Sequence, residues 1–126
     1  MLRVTKTFEF HAAHSLPDYE GACANLHGHT YVLEVALQGP VGEDGFVVDF
    51  GVMKSRIEMK VIDHLDHRFL NEILPNPTAE NLVLWIVVKI TELYPGKTPE
   101  EIELVEVRLW ETARASAQWL KTSTLK

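Results

Sequence analysis

Leu2-Arg3-Val4-Thr5-Lys6-Thr7-Phe8-Glu9-Phe10-His11-Ala12-Ala13 interleaves Thr5, Thr7, Glu9 and His11 with Val4, Phe8, Phe10 and Ala12. A period of two with aromatic content predicts a strand with one wet face and one covered face. Working outward, a polar segment with Pro17, Asp18 and Gly21 reads as a loop. Residues 30–37 are β-branched and alternate again until Gln38-Gly39-Pro40 ends them. Gly42-Glu43-Asp44-Gly45 reads as a turn before a short strand over 46–49. Helical spacing starts near Gly51, with Val52, Met53, Ile57, Val61 and Leu65 three or four apart and Lys54, Arg56, Glu58 and Lys60 between them. Asn76-Pro77-Thr78 announces a second helix with Thr78 as its N-cap, and Tyr94-Pro95-Gly96 stops it near Leu93. Residues 102–110 alternate as a third long strand, and 115–120 form a fourth.

Strands grouped apart from helices predict an α+β domain, an antiparallel four-stranded sheet with two helices on one face. No repeat, low-complexity tract or linker divides the sequence, so residues 1–126 are expected to form a single domain. The second helix is apolar all round over 82–88, which predicts cover on more than one side, by its own sheet and by another subunit. A small sheet with open edges also favours closure with other copies, so a homo-oligomer is expected.

The 126 residues are 46% hydrophobic and 24% charged, the balance of a soluble globular protein. Eighteen acidic against twelve basic side chains leave a net charge of −6, which disfavours nucleic acid as a partner because the basic footprint is missing. One cysteine excludes a disulfide within the chain and fits a reducing compartment. The longest apolar run is far short of the roughly 20 residues that span a bilayer, and residues 1–6 carry no apolar leader core. A cytoplasmic protein without membrane contact is expected.

His27-Gly28-His29 opens the second strand, and residues i and i+2 of a strand share a face. Two imidazoles at that spacing can reach one ion with Zn–N distances of about 2.0–2.1 Å. His14, at the end of the first strand, can supply the third nitrogen. Three histidines with an open fourth position make a catalytic rather than a structural Zn²⁺ arrangement. His11 is a rival third ligand, but alternation puts His11 and His14 on opposite faces unless a bulge intervenes.

Cys23 lies in a loop four residues before His27, and a thiol beside imidazoles and zinc can be held as thiolate, a competent base or nucleophile. An aspartate bonded to one imidazole nitrogen raises the basicity of the other. Asp66-His67 offers such a pair, and Asp63-His64 is the same dipeptide three residues earlier; the sequence does not choose between them. Glu111, followed by Thr112, ends the third long strand, and its carboxylate can accept two parallel N–H bonds from a cyclic guanidine-like edge.

With these residues in view, the chain resembles the 6-pyruvoyl-tetrahydropterin synthase family over nearly its whole length. The resemblance rests on Phe10-His11-Ala12-Ala13-His14, Cys23-Ala24-Asn25-Leu26-His27-Gly28-His29, Val48-Asp49-Phe50, Leu65 to Asn71, Pro77-Thr78-Ala79-Glu80-Asn81 and Glu111-Thr112, six motifs in the family's order. Three residues between Cys23 and His27 look like the branch that makes 6-carboxy-5,6,7,8-tetrahydropterin for queuosine. The resemblance implies the tunnelling fold, whose subunits close into a barrel as trimers that pair into hexamers, with active sites between subunits. It implies that His14, His27 and His29 bind zinc, that Cys23, Asp66 and His67 move protons, and that Glu111 with Thr112 holds the pterin of 7,8-dihydroneopterin triphosphate. An acidic chain needs a local cationic pocket for a triphosphate, for which Lys54, Arg56, Arg68 and Arg114 are candidates. Two alternatives are a sister enzyme that eliminates triphosphate without cutting the carbon chain, and a non-catalytic zinc- or pterin-binding module.

Overall fold

The structure, a computed structural model, describes residues 1–122. The alternating opening segment forms β1 (Leu2–His14), which pairs in antiparallel register with β2 (His27–Gly39) along its full length, from Leu2 opposite Gly39 to His14 opposite His27. β2 pairs with β4 (Glu103–Thr112), and β4 with β5 (Ala115–Leu120), both antiparallel. Phe8, Phe10, Tyr31, Leu33, Val35, Leu37, Val107 and Leu109 are buried on one face, under the helices. The other face carries Thr5, Thr7, Glu9, His11 and Glu106 and is open in the single chain.

The sheet has five strands in the order β3-β1-β2-β4-β5, not the four expected. The fifth, β3, is the pair Arg68–Phe69, running parallel to Ala12 and Ala13 of β1. Two residues are too few to show a period. Residues 46–49 are not the expected strand. Gly42 N–H bonds to the Phe46 carbonyl and Phe46 N–H to Asp44 Oδ1, closing a turn. Asp49 is then consumed as a helix cap, its Oδ1 accepting from Gly51 N at 2.7 Å and Val52 N at 3.1 Å.

Helix α1 (Phe50–Ile57) continues through a π turn (Glu58–Ile62) into α2 (Asp63–Leu65). Met53, Ile57, Val61 and Leu65 from the expected stripe are fully buried, whereas Val52 faces solvent. The π turn shifts the face by one residue, so Ile62 is buried beside Val61. Helix α3 (Ala79–Leu93) is capped by Thr78, whose Oγ1 accepts from Asn81 N at 3.1 Å. Its Leu82, Val83, Ile86 and Ile90 lie in the core, while Leu84 and Val88 are 57% and 60% exposed, so within one chain only one side of that apolar helix is covered. Among the described residues no helix is long and apolar enough to cross a membrane.

Candidate metal centre and acid–base pair

Where β1 ends and β2 begins, the covered face of the sheet runs past its helices and carries histidines instead of aliphatic side chains. His14 and His27 are direct cross-strand partners, and His29 follows two residues along on the same face. His11 projects from the opposite face of β1, bonded to Thr30 Oγ1 at 3.0 Å, so it stands apart from the three. The ligand atoms of His14, His27 and His29 all lie within 4.8 Å of one another.

The hydrogen bonds around these rings assign their protons. His14 Nδ1 meets the Pro77 carbonyl at 2.8 Å and His27 Nδ1 meets the Asn25 carbonyl at 2.7 Å. A carbonyl only accepts, so both Nδ1 atoms carry hydrogen and both Nε2 atoms present lone pairs in the neutral rings. Those two Nε2 atoms face each other at 3.1 Å. The Nε2 of His29 is buried with no hydrogen-bond partner among the described residues. Burial, more than any neighbouring charge, holds the His29 pKa below the ordinary imidazole value, with His14 and His27 acting in the same direction and Glu111 against it. Converging lone pairs with no proton between them are what a divalent cation satisfies, and an all-imidazole set suits zinc among the common ones.

Tyr31 floors the site. Its ring stacks on Phe10 at 4.9 Å between centroids, and its hydroxyl lies 3.4 Å from His14 Nδ1. Burial and, secondarily, Glu111 raise the Tyr31 pKa, so the phenol keeps its proton. Glu111 reaches the same place through a bulge: Trp110 pairs with Ser116 and Thr112 with Ala115, leaving Glu111 unpaired between them. Its carboxylate lies 3.9 Å from His14 Nε2 and 3.8 Å from His29 Nε2. Thr112 is exposed and caps the following turn, its Oγ1 accepting from Arg114 N.

Cys23 sits in a single 3₁₀ turn (Ala22–Ala24), half-buried, with its carbonyl accepting from Leu16 N at 2.9 Å. It is not one of the clustered ligands, which among the described residues are the three histidines alone. Of the two Asp-His dipeptides, Asp66-His67 is the pair in contact, with Asp66 Oδ2 3.1 Å from His67 Nδ1. Asp63 and His64 are exposed on α2. The other oxygen of Asp66 accepts the His11 backbone N–H at 2.9 Å, while His67 N–H bonds to the His11 carbonyl at 2.6 Å. His67 adopts a φ of 59° to make that reach, a left-handed conformation uncommon outside glycine. The hydrogen bond from His11, chiefly, lowers the Asp66 pKa, and His67 contributes in the same direction.

The acid–base pair and the three histidines therefore flank β1 on different faces. The His67 ring lies 5.9 Å from the His11 ring. His67, Arg68 and Phe69 border an open groove of about 570 Å³ with His11, Gly28, His29 and Thr30, so His29 is the one member of the three that reaches the groove beside His67. Arg56 is turned away, its guanidinium 4.7 Å over the Tyr94 ring and hydrogen-bonded to the Leu93 carbonyl. The partners that orient the site were illegible in the sequence because most are main chain: the carbonyls of Asn25 and Pro77, and both backbone groups of Ser15, held by the Asn71 amide at 2.9 Å each.

Residues 3–121 match the family described as 6-pyruvoyl tetrahydropterin synthase. The chain is 38% identical to a 6-carboxy-5,6,7,8-tetrahydropterin synthase of Synechocystis sp., covering 92% of this chain and 91% of that one. It is 39% identical to a dihydroneopterin monophosphate aldolase of Pyrococcus furiosus, covering 86% and 89% respectively. Among solved structures, the 6-pyruvoyl tetrahydropterin synthase of Caenorhabditis elegans superposes with a TM-score of 0.81 at 27% identity, covering 96% of both chains.

Proposed function

The chain belongs to the 6-pyruvoyl tetrahydropterin synthase family, and from that premise we propose that it is a zinc-dependent pterin lyase of the 6-carboxy-5,6,7,8-tetrahydropterin synthase type, acting in queuosine biosynthesis in the cytoplasm. The observation that carries this reading is the convergence of the His14, His27 and His29 ring nitrogens beside the Glu111 carboxylate. The substrates are 7,8-dihydroneopterin triphosphate and one water, which supplies the second oxygen of the carboxyl group. The products are 6-carboxy-5,6,7,8-tetrahydropterin, acetaldehyde and triphosphate.

His14, His27 and His29 hold the Zn²⁺, their rings set by Pro77, Asn25 and the Tyr31 floor. When bound, the metal acidifies the side-chain hydroxyls of the pterin and offsets the charge that develops on them. Glu111 accepts two parallel N–H bonds from the guanidine-like edge of the ring, with Thr112 beside it. Cys23, as thiolate, takes the proton from the side-chain carbon next to the ring. His67 returns protons as triphosphate leaves and the carbon chain breaks, and Asp66 keeps its Nδ1 protonated so that Nε2 exchanges the proton. Lys54, Arg68 and Arg114 remain the candidate cations for the phosphates.

Asp66 and His67 lie across β1 from the three histidines, so the working site takes this pair from a neighbouring copy in a trimer or hexamer. The open sheet face and the exposed Leu84 and Val88 on α3 support assembly. The decisive experiment incubates zinc-loaded protein with dihydroneopterin triphosphate and identifies products by mass spectrometry. A carboxylated pterin with acetaldehyde supports the assignment. A pyruvoyl pterin would replace it with triphosphate elimination, and no consumption of pterin would leave a binding module. The aldolase relative adds one control, the monophosphate of the same pterin offered in parallel.

A further inference from the structure

Glu111 is placed where two tasks compete for it. Its two oxygens straddle His14 Nε2 and His29 Nε2 at 3.9 and 3.8 Å. Those separations are too long for hydrogen bonds. His14 also has no hydrogen on Nε2 to offer Glu111, because its Nδ1 donates to the Pro77 carbonyl and its Nε2 faces the Nε2 of His27. A half-buried carboxylate held against neutral lone pairs is unfavourable unless a cation lies between them. Donor atoms sharing one tetrahedral zinc stand about 3.3 Å apart when each bond is near 2.0–2.1 Å. The Nε2 atoms of His14 and His27, at 3.1 Å, already match that spacing. Each Glu111 oxygen stands about 0.5 Å beyond that spacing from its own nitrogen, Oε2 from His14 and Oε1 from His29, and the bulge at Glu111 leaves its backbone free of the ladder that would resist a shift toward them.

We propose that Glu111 is a displaceable fourth ligand of the metal held by His14, His27 and His29, occupying the vacancy until the pterin ring edge draws it away. The inference rests on the metal and pterin assignments made above. Only one bond is exchanged. The Glu111 oxygen leaves the metal and keeps its negative charge, its two oxygens take the two N–H groups of the ring edge, and the vacated position opens to the substrate's own oxygen donors. No proton or electron needs another source. Because one carboxylate serves both partners, metal and ring edge oppose each other by equal factors. A bare pterin without side-chain hydroxyls therefore binds the metal-free protein more tightly than the loaded one.

The test uses Co²⁺ as the probe, read by its visible absorption and by competition with a chelator, in the full-length protein and in Glu111→Gln and His27→Ala variants. Glu111→Gln is expected to weaken Co²⁺ binding about tenfold or more and to change the absorption band. Saturating 7,8-dihydroneopterin is expected to shift the wild-type band as well. Superimposable spectra and equal affinities for wild type and Glu111→Gln, with Co²⁺ lost from His27→Ala, would overturn the Glu111 role and leave the three-histidine site standing. Co²⁺ held by His27→Ala as tightly as by wild type would overturn the site and the inference together.

Discussion

His14 and His27 are paired across two antiparallel strands with their Nε2 atoms 3.1 Å apart, and each turns its remaining nitrogen onto a main-chain carbonyl. The rings are thus oriented before any metal arrives, which lowers the ordering cost of binding it. Replacing His27 by Ala removes one donor and leaves the other two too few for a closed grip. The purified His27→Ala protein is expected to contain less than about a tenth of the zinc found in wild type by elemental analysis, with turnover lost in parallel. Full zinc occupancy in that variant would remove His27 from the ligand set.

Cys23 lies outside the ligand cluster, on its own 3₁₀ turn. Cys23→Ala should therefore keep zinc at wild-type stoichiometry while kcat falls by about 10²-fold or more, the usual worth of a positioned base. Unchanged turnover would exclude the thiolate.

Because His67 faces His11 on one side of β1 and the three-histidine cluster lies on the other, two inactive variants should complement each other. Cys23→Ala and His67→Ala proteins, unfolded together and reassembled, are expected to recover part of the activity that neither shows alone. Sedimentation should show trimers or hexamers in the same sample. Recovery that fails in a properly assembled mixture would place all three groups in one chain.

Asp66 gives a pH dependence of definite sign. Its folded pKa lies below the ordinary carboxylate value because the His11 N–H and His67 bond to the charged form. The folded state therefore holds its proton less tightly than the unfolded state. The stabilisation is present above the ordinary aspartate pKa and is lost as pH falls through the depressed one. Thermal melts from neutral to about pH 3 should show a shallower acid decline for Asp66→Asn than for wild type. Identical slopes would mean that the His11–Asp66 bond is not maintained in solution.

The cap at Asp49 supplies a control remote from the site. Its side chain satisfies two free N–H groups of α1, so Asp49→Ala should cost about 1 kcal/mol of stability in denaturant titrations. Its zinc content should match wild type.

What the sequence disclosed followed from periodicity. The alternation of β1 by itself separates His11 from His14, and the i, i+2 spacing of His27 and His29 puts them on one face. The helices from Met53 to Leu65 and from Ala79 to Leu93 were legible from their apolar stripes and from Thr78. Failures came where structure is shorter than a period or made by the main chain. Arg68–Phe69 pairs with β1 over two residues only, so no pattern existed to read. Residues 46–49 looked extended because Phe46, Val47 and Val48 favour strands, but Asp49 commits that stretch to a helix start. The two Asp-His dipeptides are indistinguishable as text. Contact with the β1 backbone distinguishes them, through the positive φ of His67 that no composition announces.

The last four residues of β1 hold His11, which anchors the Asp66–His67 pair, and His14, which faces His27. Fraying of that short strand end would therefore dismantle both halves of the proposed chemistry at once, long before the rest of the sheet came apart. Loss of activity on mild heating or in dilute urea should accordingly precede any change in far-ultraviolet circular dichroism, and bound zinc should delay it.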